Sequence, residues 1–321
     1  MATTLTDMIN EVSMNLSGYT LTQDRSTYIK SAVAATASSS ASPIVLSLGS
    51  TDNVGKGIVE IDEELLWIDT YDRVGNTATV APYGRGYLGT TAATHAADAK
   101  VTISPTFPRF SIKRAINDTI TALGSSIFSA ATTTITSNAA VAAFRLPTTG
   151  SSLDIRNILS VAYESIGASK EWIPIRTWRF DGNANSTSFT SGQTLSIYDV
   201  VPSGRTIQIV YAKDPASFTT TIDATYTTLT AIDNQVFETI TGLPSSCKDL
   251  VILGAIYRLL TNLDPARAAM VSPQADETDN KRPYGSSQSL TRQIYALYTQ
   301  RLTEEIKNQQ NVYPIRIHYS L

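Results

Sequence analysis

The stretch YGRGYLGTTAATHAADAKVTISP, Tyr83–Pro105, brings together three glycines, an arginine and one of the two histidines of the chain. Gly84, Gly86 and Gly89 have the Gly-x-Gly-x-x-Gly spacing of a dinucleotide-binding loop, but that loop opens a helix after a strand. Here the small residues after Gly89 lead back into an alternating, strand-like pattern. We therefore expect the glycines to supply positive φ angles and close backbone approach at the end of a strand, and we expect no cofactor.

Short runs of apolar residues with a period near two surround this stretch, and turn residues separate them. The runs are Ile44–Leu48, Ile58–Ile61, Leu65–Ile68, Ala78–Val80 and Val101–Ile103. The pattern predicts a small antiparallel barrel-like domain over residues 41–105.

A second β-rich region follows over residues 141–243, where aromatic and β-branched residues are dense. Its strand-like runs are Ile158–Tyr163, Trp172–Phe180, Leu195–Tyr198 and Ile207–Tyr211. Glycine, proline and aspartate separate these runs, so we expect a larger antiparallel, sandwich-like domain.

Helical patterns open, divide and close the chain, and Thr4 with Asp7 resembles a capping box at the first of them. In the N-terminal part (1–40) we predict the helix Thr4–Ser17 and a second helix within 24–33. In the central part (106–140) we predict the helix Phe110–Leu123, followed by a linker. In the C-terminal part (244–310) we predict the helices Lys248–Asn262 and Gln288–Gln309. The predicted fold class is therefore α+β, with a helical bundle into which the two antiparallel β domains are inserted.

The last eleven residues, 311–321, are predicted to form an extended tail because Pro314 cannot continue a helix. Large apolar side chains alternate along this tail, at Tyr313, Ile315, Ile317 and Tyr319. An alternating segment of this kind either docks onto a partner, as an added strand or a groove-bound peptide, or folds back on its own helices.

Composition limits the function classes that need to be considered. The formal net charge is -3 and charged residues make up only 17% of the chain, so a basic face for binding nucleic acid is not expected. The sequence contains neither a long apolar run nor a basic-then-apolar N-terminal segment, and we expect a protein made and assembled in the cytosol. Cys247 precedes an apolar helix and is predicted to be a buried thiol.

Side chains that carry catalysis are sparse. His95 and His318 lie far apart, and neither has a second ligand at metal-binding spacing, so we expect surface or interface roles for both. The run Glu60–Glu64 holds paired carboxylates of the kind that glycosidases use, but its simpler interpretation is an acidic, solvated hairpin. The acidic run Asp276–Asp279 lacks the glycine and the closing glutamate of an EF-hand loop. We therefore expect no enzymatic activity and no metal site.

Arg85 stands between two glycines at the predicted strand end, where it is free to pair with a neighbouring carboxylate or with another subunit. His95 lies in the same loop among alanines and threonines. We expect this loop, with Arg85 and His95, to form a contact between subunits.

Several of these segments resemble structural proteins of tailed bacteriophages. YGRGYLGTTAATHAADAKV is similar to a turn motif of that group, and Gly242–Leu260 resembles the proline-led helix of phage head-to-tail connector (adaptor or neck) proteins. Tyr295–Ile317 resembles their closing helix with its Tyr-Pro exit, and the segments Trp172–Ile175 and Gly204–Pro215 are similar to the β domain of larger members.

The resemblance implies a virion protein located in the neck, between capsid and tail. It implies a ring of identical subunits, twelvefold in the family, which lies beneath the portal protein, extends the DNA channel and offers a platform to other neck or tail proteins. DNA passes such a ring without sequence-specific binding. The residues expected to dock onto the portal or another partner are Tyr313, Pro314, Ile315, Ile317, His318, Tyr319 and Leu321.

Two other functions remain open on the residues alone. The chain fits a tail-fibre or baseplate protein whose β domains bind a receptor glycan through Trp172, Trp178 or Tyr198, the two tryptophans lying on one face of a regular strand. It also fits a hydrolase that uses Glu60, Asp62 or Glu64.

Overall fold

The computed structural model describes residues 3–18, 24–138, 140–146, 154–166, 170–220, 224–261 and 286–314, with the side chains of the last range described from Leu290 onward. Within these ranges the chain is a mixed α+β protein with six α-helices and three antiparallel sheets. The α+β class predicted from the alternating and helical patterns is confirmed.

The first sheet has six strands and corresponds to the predicted small β domain. Its strands are β1 (Arg25–Tyr28), β2 (Val45–Ser47), β3 (Gly57–Ile61), β4 (Glu64–Asp72), β5 (Thr77–Val80) and β6 (Lys100–Ile103), in the spatial order β1-β6-β3-β4-β5-β2. The two edge strands meet just beyond their ends, where the Lys30 N–H donates to the Ser47 carbonyl (2.7 Å) and the Gly49 N–H donates to the Tyr28 carbonyl (2.8 Å). The sheet therefore curls into a partly closed barrel around an apolar core.

The helix predicted within residues 24–33 is wrong. Arg25–Tyr28 forms strand β1, which pairs with β6 in antiparallel register from Arg25–Ile103 to Tyr28–Lys100. Because the partner strand lies some seventy residues further along the chain, the local pattern carried no sign of this pairing.

The second β region contains two sheets that share one apolar core. Its strands are β7 (Ser129–Thr136), β8 (Ala143–Arg145), β9 (Asn157–Glu164), β10 (Trp172–Pro174), β11 (Trp178–Asp181), β12 (Thr194–Ile197) and β13 (Thr206–Lys213). The sheets have the orders β10-β9-β13-β7 and β11-β12-β8, and buried residues of both, such as Ile209 and Leu195, belong to the same cluster. This is the sandwich-like arrangement that the sequence predicts.

Two details of this region differ from the prediction. Strand β7 lies in the segment expected to be a linker, because eight residues rich in threonine and alanine pair along their whole length with β13. The run Trp172–Phe180 is not one strand: Trp172 lies on β10 and Trp178 on β11, in different sheets. The prediction that the two tryptophans share one strand face is therefore wrong.

The helices are α1 (Leu5–Ser17), α2 (Arg109–Leu123), α3 (Leu229–Asp233), α4 (Phe237–Thr241), α5 (Lys248–Leu260) and α6 (Ser286–Val312). The four longer helices contribute to one apolar core, with residues such as Ile9, Ile116, Val251 and Tyr298. Helix α1 begins at the predicted capping box, in which Thr4 and Asp7 exchange hydrogen bonds. None of the helices in the described ranges combines the length and apolar character needed to cross a membrane.

Helix α6 continues through Val312, three residues past the predicted boundary, so the tail predicted at 311–321 begins later than expected. Pro314 is the residue that cannot continue this helix, as predicted, because proline has no amide hydrogen to donate. The remainder of the predicted tail, residues 315–321, lies outside the described part of the chain.

Candidate functional site at an acidic hairpin

The turn between β3 and β4 gathers most of the charged side chains that the sequence singled out. Ile61 pairs directly with Glu64, so Asp62 and Glu63 form a two-residue turn, and Asp62 has a φ of 54°. Aspartate tolerates this left-handed backbone better than most residues. The hairpin is therefore as predicted, but it is only partly solvated, because Asp62 is exposed whereas Glu60 is 5% exposed and Glu64 only 1%.

The carboxylate of Glu64 is enclosed by donors from the loop Tyr83–His95. Arg85 binds it with both arms of the guanidinium, Nε to Oε1 at 2.5 Å and Nη2 to Oε2 at 2.7 Å. The backbone amides of Gly86 and Ala93 each donate to one of its oxygens at 2.9 Å. A bidentate pair with two further amide donors is among the strongest ways in which a protein holds a carboxylate.

His95 completes this network between two carboxylates. Its Nε2 lies 2.9 Å from Glu64 Oε2, and its Nδ1 lies 2.7 Å from Asp62 Oδ2. Since ionised carboxylates only accept hydrogen bonds, a histidine protonated on both nitrogens satisfies both contacts. Two carboxylates and two cations, Arg85 and His95, then balance each other.

The pKa values of the network agree with this assignment. Burial acts to raise the pKa of Glu64, but the hydrogen bonds from Arg85 and His95 outweigh it and bring the pKa down to about 2. Burial acts to lower the pKa of His95, but its hydrogen bonds to Asp62 and Glu64 outweigh that effect and raise it. Both shifts favour the charged forms.

The three glycines of the loop have the backbone roles that the sequence predicts. Gly86 (φ 60°) and Gly89 (φ 84°) have left-handed backbones. At Gly84 a Cβ atom would stand 2.9 Å from the carbonyl oxygens of both Ala81 and Trp67, so only glycine fits there. The Gly86 amide, which in a phosphate-binding loop faces an anion, instead binds the carboxylate of Glu64.

The surface or interface position expected for His95 is wrong for its side chain, and the Arg85 side chain does not reach the surface either. Both are buried within their own chain, Arg85 also donating to the carbonyls of Ala34 and Ala93 at 2.8 and 2.6 Å. The prediction of a neighbouring carboxylate for Arg85 is confirmed by Glu64. That the loop contacts another subunit stays a prediction.

The outer side of the same loop exposes two large apolar residues. Tyr83 is 87% exposed and Leu88 is 65% exposed, and their φ angles of 59° and 54° lie in the left-handed region. Such a backbone is uncommon for residues with bulky side chains and persists only where the surroundings enforce it. Sequence reasoning missed these residues because nothing in their spacing separates them from core residues.

The opposite side of the hairpin is fastened to the helices. Glu60 accepts a hydrogen bond from the first helical amide of α2, at Arg109 (2.6 Å). Glu63 forms an ion pair with Lys113 of α2, and Lys113 Nζ also lies 2.9 Å from Asp233 Oδ1 at the end of α3. One turn thus links the barrel, the Tyr83–His95 loop and two helices.

Glu60 and Glu63 have the opposite pKa behaviour to Glu64. Burial raises the pKa of Glu60 to about 7, and the amide of Arg109 only partly offsets it. Burial also raises the pKa of Glu63 against the opposing effect of Lys113. Neighbouring carboxylates of one turn therefore differ because one has a guanidinium partner and the others depend on fewer donors.

Comparison with models of protein families shows which family the chain belongs to. Residues 88–312 match the model of the SU10 adaptor protein, and this range includes His95, strand β6, all seven strands of the sandwich-like region from β7 to β13 and the helices α2 to α6. The chain belongs to the SU10 adaptor protein family. The match covers more than half of the chain, and the family is one of phage adaptor proteins. No curated protein matches the sequence.

The structure also describes the predicted buried cysteine and the three aromatic residues considered for glycan binding. Cys247 is buried and free, as predicted, with its Sγ 3.7 Å from Glu305 Oε2, and burial raises the pKa of its thiol to about 12. Trp172 and Tyr198 are exposed, whereas Trp178 packs partly against the sandwich core.

The docking residues are described only at their start. The Tyr313 and Phe128 rings lie 5.8 Å apart, and Pro314 follows. The remaining predicted docking residues lie outside the described ranges, at Ile315, Ile317, His318, Tyr319 and Leu321. The acidic run Asp276–Asp279 lies outside them as well.

Replacing Glu60 by glutamine is expected to stabilise the protein at alkaline pH. Because the pKa of Glu60 is raised to about 7 in the fold, its favourable contribution is complete below its unfolded pKa and is lost as pH rises to about 7. E60Q should gain up to about 3 kcal/mol over the unmodified chain at pH 8.5 and almost nothing at pH 4.5. Urea unfolding at both values measures this.

The matched control is Glu304→Gln on α6, where hydrogen bonding to Arg301 lowers the pKa of an exposed carboxyl. That variant should show no gain at alkaline pH. Equal effects of E60Q at both pH values would contradict the raised pKa.

Replacing Arg85 by methionine should be strongly destabilising, because it leaves the Glu64 carboxylate buried without its main partner. Breaking a buried ion pair costs about 3–5 kcal/mol. Lys56→Met removes an ion pair with Asp69 of similar length (2.6 Å) on the surface and should cost less than about 1 kcal/mol. Denaturant unfolding of the two variants compares them, and similar losses would show that Glu64 does not depend on Arg85.

Proposed function

We propose that the chain is a structural head-to-tail adaptor of a phage neck. In this proposal identical subunits, twelve by resemblance to connector proteins, form a ring beneath the portal protein. The ring extends the DNA channel and offers a platform for tail attachment, within a particle assembled in the host cytoplasm. Membership of the SU10 adaptor protein family is the observation that carries the proposal.

The state of the acidic hairpin supports a structural and not a catalytic role. Two of the three carboxylates considered for a hydrolase are buried and already bound, Glu64 by Arg85 and Glu60 by the α2 amide. Asp62 faces His95 and not a second free carboxylate. We propose that these side chains join the barrel to the helices, which serve as a bundle carrying both β units.

The charge of the chain supports a role as part of a channel. The formal net charge is -3, and a mildly acidic ring wall does not hold DNA through phosphate contacts. DNA passing through the ring would therefore meet no strong, sequence-independent binding surface on these subunits.

The subunit contact is proposed to involve the outer side of the Tyr83–His95 loop. Arg85 and His95 fix the loop from inside, while Tyr83 and Leu88 offer apolar side chains on a preorganised backbone. Preorganised apolar residues lose little entropy on association, which favours a specific interface.

The C-terminal segment is proposed to attach the ring to the portal. Replacing Ile315, Ile317 and Tyr319 by serine should abolish attachment, because these alternate residues would form the apolar face of the segment. The matched control, Arg316→Ser with Ser320→Ala, changes residues of the other face that are not among the docking residues and should retain attachment. Electron microscopy of the protein mixed with the portal of its own phage measures both, and normal attachment of the triple variant would remove the segment from the proposal.

Replacing Tyr83 and Leu88 by serine should prevent ring formation without loss of fold stability, because both side chains are exposed. Val74→Ser, at the exposed tip of the β4–β5 hairpin, is the control and should form rings. Ring counts in negative-stain images, with thermal unfolding alongside, measure the difference. Intact rings from the double variant would mean that the loop makes no subunit contact.

A further inference from the structure

A groove of about 220 Å³ lies beside the C-terminal turns of α6. On one side are Ile306, Gln309 and Tyr313 of α6, and on the other are Phe128 and the start of β9 at Ile158 and Leu159. None of the described residues that line it carries a charged side chain. A groove with apolar walls and uncharged polar groups suits an apolar segment whose backbone still needs hydrogen-bond partners.

The end of the described chain is held at this groove by contacts between α6 and Phe128. Gln309 Nε2 donates to the Phe128 carbonyl at 2.6 Å, and the Phe128 N–H donates to Gln309 Oε1 at 3.2 Å. The Tyr313 ring packs on Phe128, and Pro314 itself lines the groove. The described part of the chain therefore ends in the lining of the groove, at Pro314.

We infer that the C-terminal segment, residues 315–321, occupies this groove of its own chain before assembly. The segment has seven residues, IRIHYSL, and reaches over about 23 Å when extended at about 3.3 Å per residue. Its apolar residues alternate, so an extended backbone turns Ile315 and Ile317 toward one side. One part of the inference rests on the proposed function, namely that a partner later binds the segment and displaces it from the groove.

The segment of the same chain is favoured over that of a second copy because of effective concentration. A segment attached at Pro314 by no intervening linker meets the groove at a local concentration that a second molecule does not match in dilute solution. The groove and the segment thus form a holding site, which leaves the docking residues covered in the free subunit.

Cysteine labelling tests this inference directly. The Ile315→Cys thiol should react with a maleimide about tenfold more slowly than the Val312→Cys thiol, which lies on the exposed side of α6. The native Cys247 gives little background, because it is buried and its thiol pKa is raised to about 12. The unmodified chain measures that background.

Filling the groove should release the segment. Ser126 lines the groove and is itself exposed, so Ser126→Trp should restore fast labelling of Ile315→Cys while circular dichroism stays unchanged. Ser125→Trp, one residue away and outside the lining, is the control and should leave labelling slow.

Three results would overturn the inference. Ile315→Cys reacting as fast as Val312→Cys would show an empty groove, and protection that S126W does not remove would show a different site. Protection that disappears on dilution would assign the groove to a second copy. Failure of the portal experiment with protection intact would remove the docking role and leave the groove assignment standing.

Discussion

The buried carboxylate of Glu64 and its bond to Arg85 are the interaction on which the rest of the structure depends. A carboxylate that is 1% exposed is strongly unfavourable unless charged partners and hydrogen bonds replace its water. Arg85, His95 and two backbone amides supply them. The loop must wrap around Glu64 to deliver these donors, and this requirement accounts for the left-handed backbone on its outer side.

The same hairpin places the carboxylates of Glu60 and Glu64 on opposite sides of the sheet because of strand geometry. Directly paired residues place their side chains on the same side of a sheet, so Glu64 lies with Ile61, and Glu60 points to the other side. Glu64 therefore binds the loop, while Glu60 meets the N-terminus of α2. An ionic turn of this kind holds barrel and helices in one relative position, a specificity that apolar packing alone supplies less sharply.

Local sequence patterns predicted the elements whose stability is local. Helix α1 has its own capping box, α5 and α6 have apolar stripes, and Pro314 ends α6 by its missing amide hydrogen. Strands β1 and β7 were not predicted from the sequence, because neither has an alternating apolar pattern of its own. Four polar residues became β1 only through pairing with β6, and the threonine-rich β7 only through pairing with β13.

The sequence by itself determined the α+β class, the two β regions, the turn at Glu60–Glu64 and the structural use of the glycines in the loop. Only the tertiary structure decided that Glu60 and Glu64 beside the turn are buried and that Arg85 and His95 face inward, leaving Tyr83 and Leu88 outside. The physical reason is that an acidic turn has the same residues whether water or a guanidinium surrounds it. The burial of its carboxylates depends on partners at Arg85, His95 and Lys113, which the fold alone brings together.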